Sequence, residues 1–187
     1  MENQRLIIGI TGASGAPLAL ALLDRLMDFP DVERHVILSE CGEMTLNHET
    51  GLGREALAAK CTRLYRENEF GAPPASGSFR TLGMVIIPCS MKSVAGVVSG
   101  YCENLLLRAA DVTMKERRTL VLVPRECPMS TLHLRNLTAA SELGAVVIPP
   151  VAAYYNKPET LEEVHDQIAF RILSRFGLGE GKEWRGL

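Results

Sequence analysis

Five short apolar runs constrain the fold of this chain more than any other feature. They cover residues 6–10, 35–39, 84–88, 119–124 and 145–149. Each is rich in Val, Ile and Leu, and none alternates with polar residues. A strand with one face in water alternates; a strand buried on both faces does not, and such strands belong to parallel sheets. Helical patterns fill the gaps. One helix starts near Pro17, which suits a first turn because its missing N–H is no loss there, and runs to about Asp28. Another spans residues 103–118, with Leu106, Ala109, Ala110 and Thr113 at helical spacing. A third spans 131–143 and is closed by Gly144 as the residue after its cap. The last spans 159–176, with Pro158 before it and Gly177 after it.

Strand–helix alternation of this kind predicts a Rossmann-like three-layer α/β/α fold with an open, mainly parallel sheet and right-handed crossovers. A length of 187 residues suits one domain over residues 1–187, with 177–187 as a C-terminal tail whose Trp184 suggests docking. Residues 71–78, Gly-Ala-Pro-Pro-Ala-Ser-Gly-Ser, carry no packing signal and read as a flexible connection or an active-site flap.

The net charge of -2 gives no electrostatic reason to expect a nucleic acid or an anionic membrane as partner. The opening apolar run is too short for a signal peptide, and no segment approaches the ~20 apolar residues of a membrane span. The expectation is therefore a cytoplasmic protein. Cys41, Cys61, Cys89, Cys102 and Cys127 are odd in number and without C-x-x-C spacing, as for reduced thiols. His35, His48, His133 and His165 form no metal-ligand pair, so no metal is expected.

Open parallel sheets bind ligands at the carboxyl ends of their strands. After the first strand comes Thr11-Gly12-Ala13-Ser14-Gly15-Ala16. Its glycines permit a tight turn and close approach, and the helix behind presents N–H groups to an anion. The spacing is neither G-x-G-x-x-G nor a Walker A loop, so a mononucleotide such as FMN fits better than NAD. A plain turn without a ligand reads equally well at this point. Polar groups come after every other strand too: Ser39 after the second, Cys89-Ser90-Met91-Lys92-Ser93 after the third, Arg125-Glu126 after the fourth, Tyr154-Tyr155 after the fifth.

Arg108 and Lys115 lie about two helical turns apart and share a face. For Lys115 a solvated position paired with Asp111 accounts for the residue; Arg108, among leucines and alanines, is harder to explain that way. Glu116, Arg117 and Arg118 read as exposed and carry no chemistry. Glu126 directly succeeds a buried run and is a candidate titrating group, whereas Glu49, at the end of a helix, reads as an ordinary surface residue.

Several segments together resemble the UbiX-type flavin prenyltransferases, also described as small subunits of aromatic acid decarboxylases. They are the turn at residues 11–16, Ser76-Gly77-Ser78-Phe79, and Met84-Val85-Ile86-Ile87-Pro88-Cys89-Ser90-Met91-Lys92-Ser93. They continue through Arg108-Ala109-Ala110-Asp111-Val112, Lys115-Glu116-Arg117-Arg118, Leu122-Val123-Pro124-Arg125-Glu126 and Tyr154-Tyr155-Asn156 to Arg171. The resemblance covers nearly the whole chain in order, and the stretch from Arg108 to Glu126 is its most specific part.

The resemblance implies an enzyme that joins the dimethylallyl group of dimethylallyl phosphate to reduced FMN at N5 and C6. The product, prenylated FMN, is the cofactor of a separate UbiD-type decarboxylase. It implies a metal-independent homo-oligomer with sites at subunit interfaces. Gly12, Ala13, Ser14, Ser39, Ser90, Met91, Lys92, Ser93 and Arg125 match the family's flavin-binding positions. Arg108, Lys115, Tyr155 and Arg171 match its prenyl-phosphate positions, and Ser14, Glu49, Lys115 and Glu126 its catalytic ones. Departures are Glu40, where a basic residue is common, Cys41-Gly42, and the poorly matching region 53–74. Two other readings share the broad fold or the ligand: a flavin-dependent cysteine decarboxylase, and a carrier that binds FMN or its prenylated form without turnover. Direct decarboxylation of an aromatic acid is disfavoured, because no aromatic pocket beyond the flavin is evident.

Overall fold

The computed structural model describes residues 4–179. Six parallel strands form one sheet: β1 (Gln4–Ile10), β2 (Val32–Leu38), β3 (Arg63–Arg66), β4 (Gly83–Cys89), β5 (Thr119–Pro124) and β6 (Val146–Val147). Their spatial order is β3-β2-β1-β4-β5-β6. The order reverses between β1 and β4, which places a crevice beyond the carboxyl ends of those two strands.

Both faces of the sheet are dry. Along β1, Leu6, Ile8 and Ile10 point into one apolar cluster and Ile7 into another. Alternate residues therefore serve opposite faces, which is why the strand reads as an unbroken apolar run. The first cluster is covered by α1 (Ala16–Leu26), α2 (Glu40–Thr50), α3 (Arg54–Ala58) and α7 (Leu161–Leu173). The second is covered by α4 (Met91–Ser99), α5 (Leu105–Lys115) and α6 (Thr131–Glu142). Gly9 lets α5 come close, since a Cβ there would lie 3.2 Å from the Leu106 side chain.

Several expectations needed correction. A sixth strand, β3, was not foreseen, because Arg-Leu-Tyr-Arg is short, flanked by charge and buried only at Tyr65. The second strand starts at Val32 rather than 35, its first half carrying Glu33 and Arg34. The run at 145–149 yields only a two-residue strand. Gly144 does come after α6 in a left-handed conformation, φ 97°.

The loop at 71–78 is anchored to the body of the protein. Pro74 is buried and Ala72 and Ala75 pack on the second cluster, as part of the strap that carries the chain from β3 to β4. Arg108 Nε donates to Ala75 O (3.3 Å), and Arg118 donates to Gly77 O and Phe79 O, both at 2.7 Å. Arg118 is thus a fastening for the strap rather than an idle surface residue. Of the expected tail, Leu178 is buried against the first cluster; residues from 180 onward, including Trp184, lie outside the described residues.

Candidate active site

Three turns meet at the carboxyl ends of β2, β1 and β4. The central one, Thr11–Gly15, passes from β1 into α1. Its glycines answer to different demands. Gly15 has φ 121°, open to glycine but strained for other residues. Gly12 is held by proximity, since a Cβ there would lie 2.4 Å from Cys41 Cβ at the start of α2. Thr45 of α2 donates its hydroxyl to Gly12 O (3.1 Å), fixing the turn from the same side.

The N–H groups at the start of α1 were expected to face a ligand anion. They face the Glu49 carboxylate instead, which accepts from Gly15 N (3.0 Å) and Ala16 N (2.8 Å). Burial alone would raise the pKa of Glu49. Hydrogen bonds from the Ser14 hydroxyl and these two amides, together with the charge of Arg125, outweigh it and hold the carboxyl below its ordinary value. Glu49 is therefore an ionised group locked beside Ser14, reached from a helix 34 residues along the chain. No local pattern signals that contact.

Ser39 caps α2, accepting from Gly42 N at 3.0 Å, while its own N–H binds Ile10 O. Ser90 caps α4, accepting from Ser93 N, and the two hydroxyls lie 3.0 Å apart. The first turn of α4 contains no acidic residue, so its positive end is not neutralised from within. Lys92 turns outward to Glu103 (3.0 Å), and this bond raises its pKa. Arg125 lies just past β5, exposed, with its N–H on Cys89 O (3.1 Å). Glu126 is half-buried and accepts from its neighbour's amide, Cys127 N, at 3.1 Å. Tyr155 lies exposed on the single helical turn Tyr154–Asn156, beyond β6.

Other candidates are not brought to this edge. Lys115 ends α5 just ahead of Thr119, which opens β5, so it lies at the amino end of the sheet. It pairs with Glu116 at 2.6 Å and touches the strap at Gly77, while Asp111, its expected partner, binds Arg108 at 2.8 Å. Arg171 lies toward the same end. On α7, Asp166 pairs with Arg25 in the last turn of α1, and Phe176 beyond the helix touches Gly83, the first residue of β4. Arg171 is exposed between them. A six-residue strand is roughly 20 Å long, too far for these side chains to reach Ser14 within one copy. Arg108 stands between the two ends, on the strap side of α5.

Two residues at this edge were given no part by the sequence. Thr11 is buried and bonded across to β4. Glu67, after β3, accepts from Glu40 N (2.7 Å) and Asn104 Nδ2 (2.8 Å), tying α2 to α5. Among the described residues no group of His, Cys, Asp and Glu could hold a metal ion, and no helix is long and apolar enough to cross a membrane.

Comparison with known proteins agrees with this architecture. A model of the Flavoprotein family matches residues 1–173. A probable UbiX-like flavin prenyltransferase from Sedimentibacter hydroxybenzoicus is 47% identical over 184 residues, 97% of each chain. The crystal structure of a dodecameric FMN-dependent UbiX-like decarboxylase from Escherichia coli O157:H7 superposes with TM-score 0.94 at 46% identity, covering 98% of this chain and 100% of that one. That of AnUbiX (PadA1) in complex with FMN and dimethylallyl pyrophosphate gives TM-score 0.95 at 41% identity, covering 99% of both chains. With near-complete coverage and identities of this size, the chain belongs to the family of UbiX-like flavin prenyltransferases.

Proposed function

We propose that this flavin prenyltransferase alkylates reduced FMN with dimethylallyl phosphate at the edge described above, in a site that a second copy of the chain completes. The observation that carries the reading is the fixed, ionised Glu49 beside Ser14, within the field of Arg125. The donor set fits the flavin: hydroxyls of Ser14, Ser39, Ser90 and Ser93, turn amides of Gly12 and Ala13, the start of α4 at Met91 and Lys92, and Arg125. When bound, the reduced flavin supplies the nucleophilic N5 and C6.

The chain's own groups handle charge and protons. Breaking the allylic C–O bond leaves positive charge on the prenyl group and the electron pair on phosphate. Glu49 sits where a fixed negative charge would steady the former and where a base could take the proton lost from C6, as the prenyl alkene gains a proton from the phosphate acid and the second bond closes. Glu126 passes a proton to the departing phosphate. Arg125, Tyr155, Arg108, Lys115 and Arg171 bind that phosphate, and preorganised donors of this kind act most strongly where charge develops.

Lys115 and Arg171 reach the site only from another copy. An assembly of copies is supported by the dodecameric relative and by an apolar surface on and after α6, where Leu132, Leu134 and Leu143 are more than half exposed. The product is handed to a UbiD-type decarboxylase, and the protein works in the cytoplasm. Anaerobic incubation with reduced FMN and dimethylallyl phosphate, and then mass spectrometry, tests the activity. A flavin heavier by one prenyl unit is expected; an unchanged flavin, with FMN bound, would make the chain a carrier.

A further inference from the structure

The two flavin-facing turns are not held together by the sheet. The β1–β4 ladder pairs Leu6 with Gly83 through Gly9 with Ile86 and stops there. Beyond it the chains continue as Ile10-Thr11 and Ile87-Pro88-Cys89-Ser90, and Pro88 has no N–H to extend a ladder. The neighbouring β4–β5 register also shifts between Ile86 and Cys89. Between β1 and β4 the regular ladder therefore ends before either turn begins, although β1 stays paired with β2 through Ile10 and β4 with β5 at Cys89.

Thr11 closes the gap, mainly through its side chain. Thr11, 4% exposed, donates its hydroxyl to Pro88 O at 2.7 Å and accepts Ser90 N at 2.9 Å. Its backbone N–H also points at Pro88 O (3.3 Å). A hydroxyl is one of the few groups that can give and take a hydrogen bond through one atom, and here both capacities are used. The consequence reaches both sides. Ser90 is the cap of α4, so its amide position sets where the Ser90 and Ser93 hydroxyls stand. Gly15, which ends the other turn and is bonded to Glu49, faces Pro88, since a Cβ added there would lie 3.5 Å from the proline ring. Thr11 and Pro88 thus lie between Ser14 and Glu49 on one side and Ser90 and Ser93 on the other.

We propose that Thr11 is a positioning residue: its hydroxyl fixes the separation of the Gly12–Gly15 turn from the start of α4, and so the width of the slot that receives the flavin. This rests on the proposed flavin site, since the slot matters only if FMN occupies it. Thr11 touches no reacting atom.

The test is a graded series at position 11 in the full-length chain: Thr11→Ser keeps the hydroxyl, Thr11→Cys weakens it, and Thr11→Val removes it at nearly constant shape. FMN affinity is read by fluorescence quenching, turnover by mass of the flavin, and folding by thermal denaturation. The expected result is affinity within about two-fold of wild type for Thr11→Ser. A fall of roughly ten-fold or more is expected for Thr11→Val, Thr11→Cys lying between them, with the bound flavin's visible spectrum shifted in the weak binders. Should Thr11→Val not fold, the Ser–Cys contrast carries the same comparison. Affinity that tracks side-chain volume rather than the hydroxyl, or is unchanged across the series, overturns the proposal. Wild-type chain that binds no FMN would instead overturn the flavin site itself.

Discussion

The Glu49 carboxylate lies across the first turn of α1, 2.8 Å from Ala16 N and 3.0 Å from Gly15 N, in the place where a helix binds an anion. The protein thereby supplies its own anion at that helix end. A ligand phosphate must find its donors elsewhere along the edge, or displace a carboxylate that three hydrogen-bond donors hold.

Replacing that carboxylate by its amide separates charge from shape. Glu49→Gln is expected to lower turnover by about 10²-fold or more, if it steadies the cation and takes a proton, with FMN still bound. It should also cost about 1 kcal/mol of stability, as loss of a charged cap does. Since the folded pKa of Glu49 lies below the ordinary 4.5, its stabilising effect is present above that value and disappears as pH falls through the folded pKa. Thermal denaturation of wild type and variant at a series of pH values checks this; parallel curves down to the most acidic point, or wild-type turnover, would remove Glu49 from the account.

His35 provides a second pH signature. It is buried, with Nδ1 2.9 Å from Tyr65 OH, Nε2 3.1 Å from Glu33, and the Phe79 ring edge-on. Burial pushes its pKa below 6.5 against the opposing pull of Glu33. The unfolded chain then binds the proton first, so stability declines as pH drops from 6.5 toward the folded pKa. Denaturant titration at pH 7.5 and pH 5.5 should show this loss in wild type, and His35→Gln should reduce it.

Arg118 fastens the strap through two hydrogen bonds to Gly77 O and Phe79 O. Charge-assisted bonds contribute about 1.5–3 kcal/mol, discounted here because the side chain is only half-buried. Arg118→Ala is expected to lower stability by about 1–3 kcal/mol and to speed hydrogen exchange across residues 76–80. Unchanged exchange there would mean that packing alone holds the strap.

How much of this is legible in the sequence varies with the range of the interactions. The apolar runs reveal the parallel sheet, because burial on both faces leaves its mark within each strand. Arg63–Arg66 escapes notice, since an edge strand of four residues leaves little pattern. The edge groups Ser14, Ser39, Ser90 and Arg125 are found from their places directly past the apolar runs. Glu49 is not, because its partners lie 33 and 34 residues away and its own surroundings read as helix surface. Lys115 and Arg171 are found only by resemblance. Their separation from Ser14 is a property of the folded chain, which no local sequence pattern describes.

In the proposed site, one copy supplies Glu49 and another supplies Lys115. Mixed assemblies of Glu49→Gln and Lys115→Ala chains, dissociated and reassembled together, probe this sharing, with prenylated flavin counted by mass spectrometry. Each variant alone should be nearly inactive. If the site is shared, random mixing at equal amounts restores about a quarter of wild-type activity, because a quarter of the sites receive both intact residues. Mixtures no more active than the separate variants would contradict a shared site.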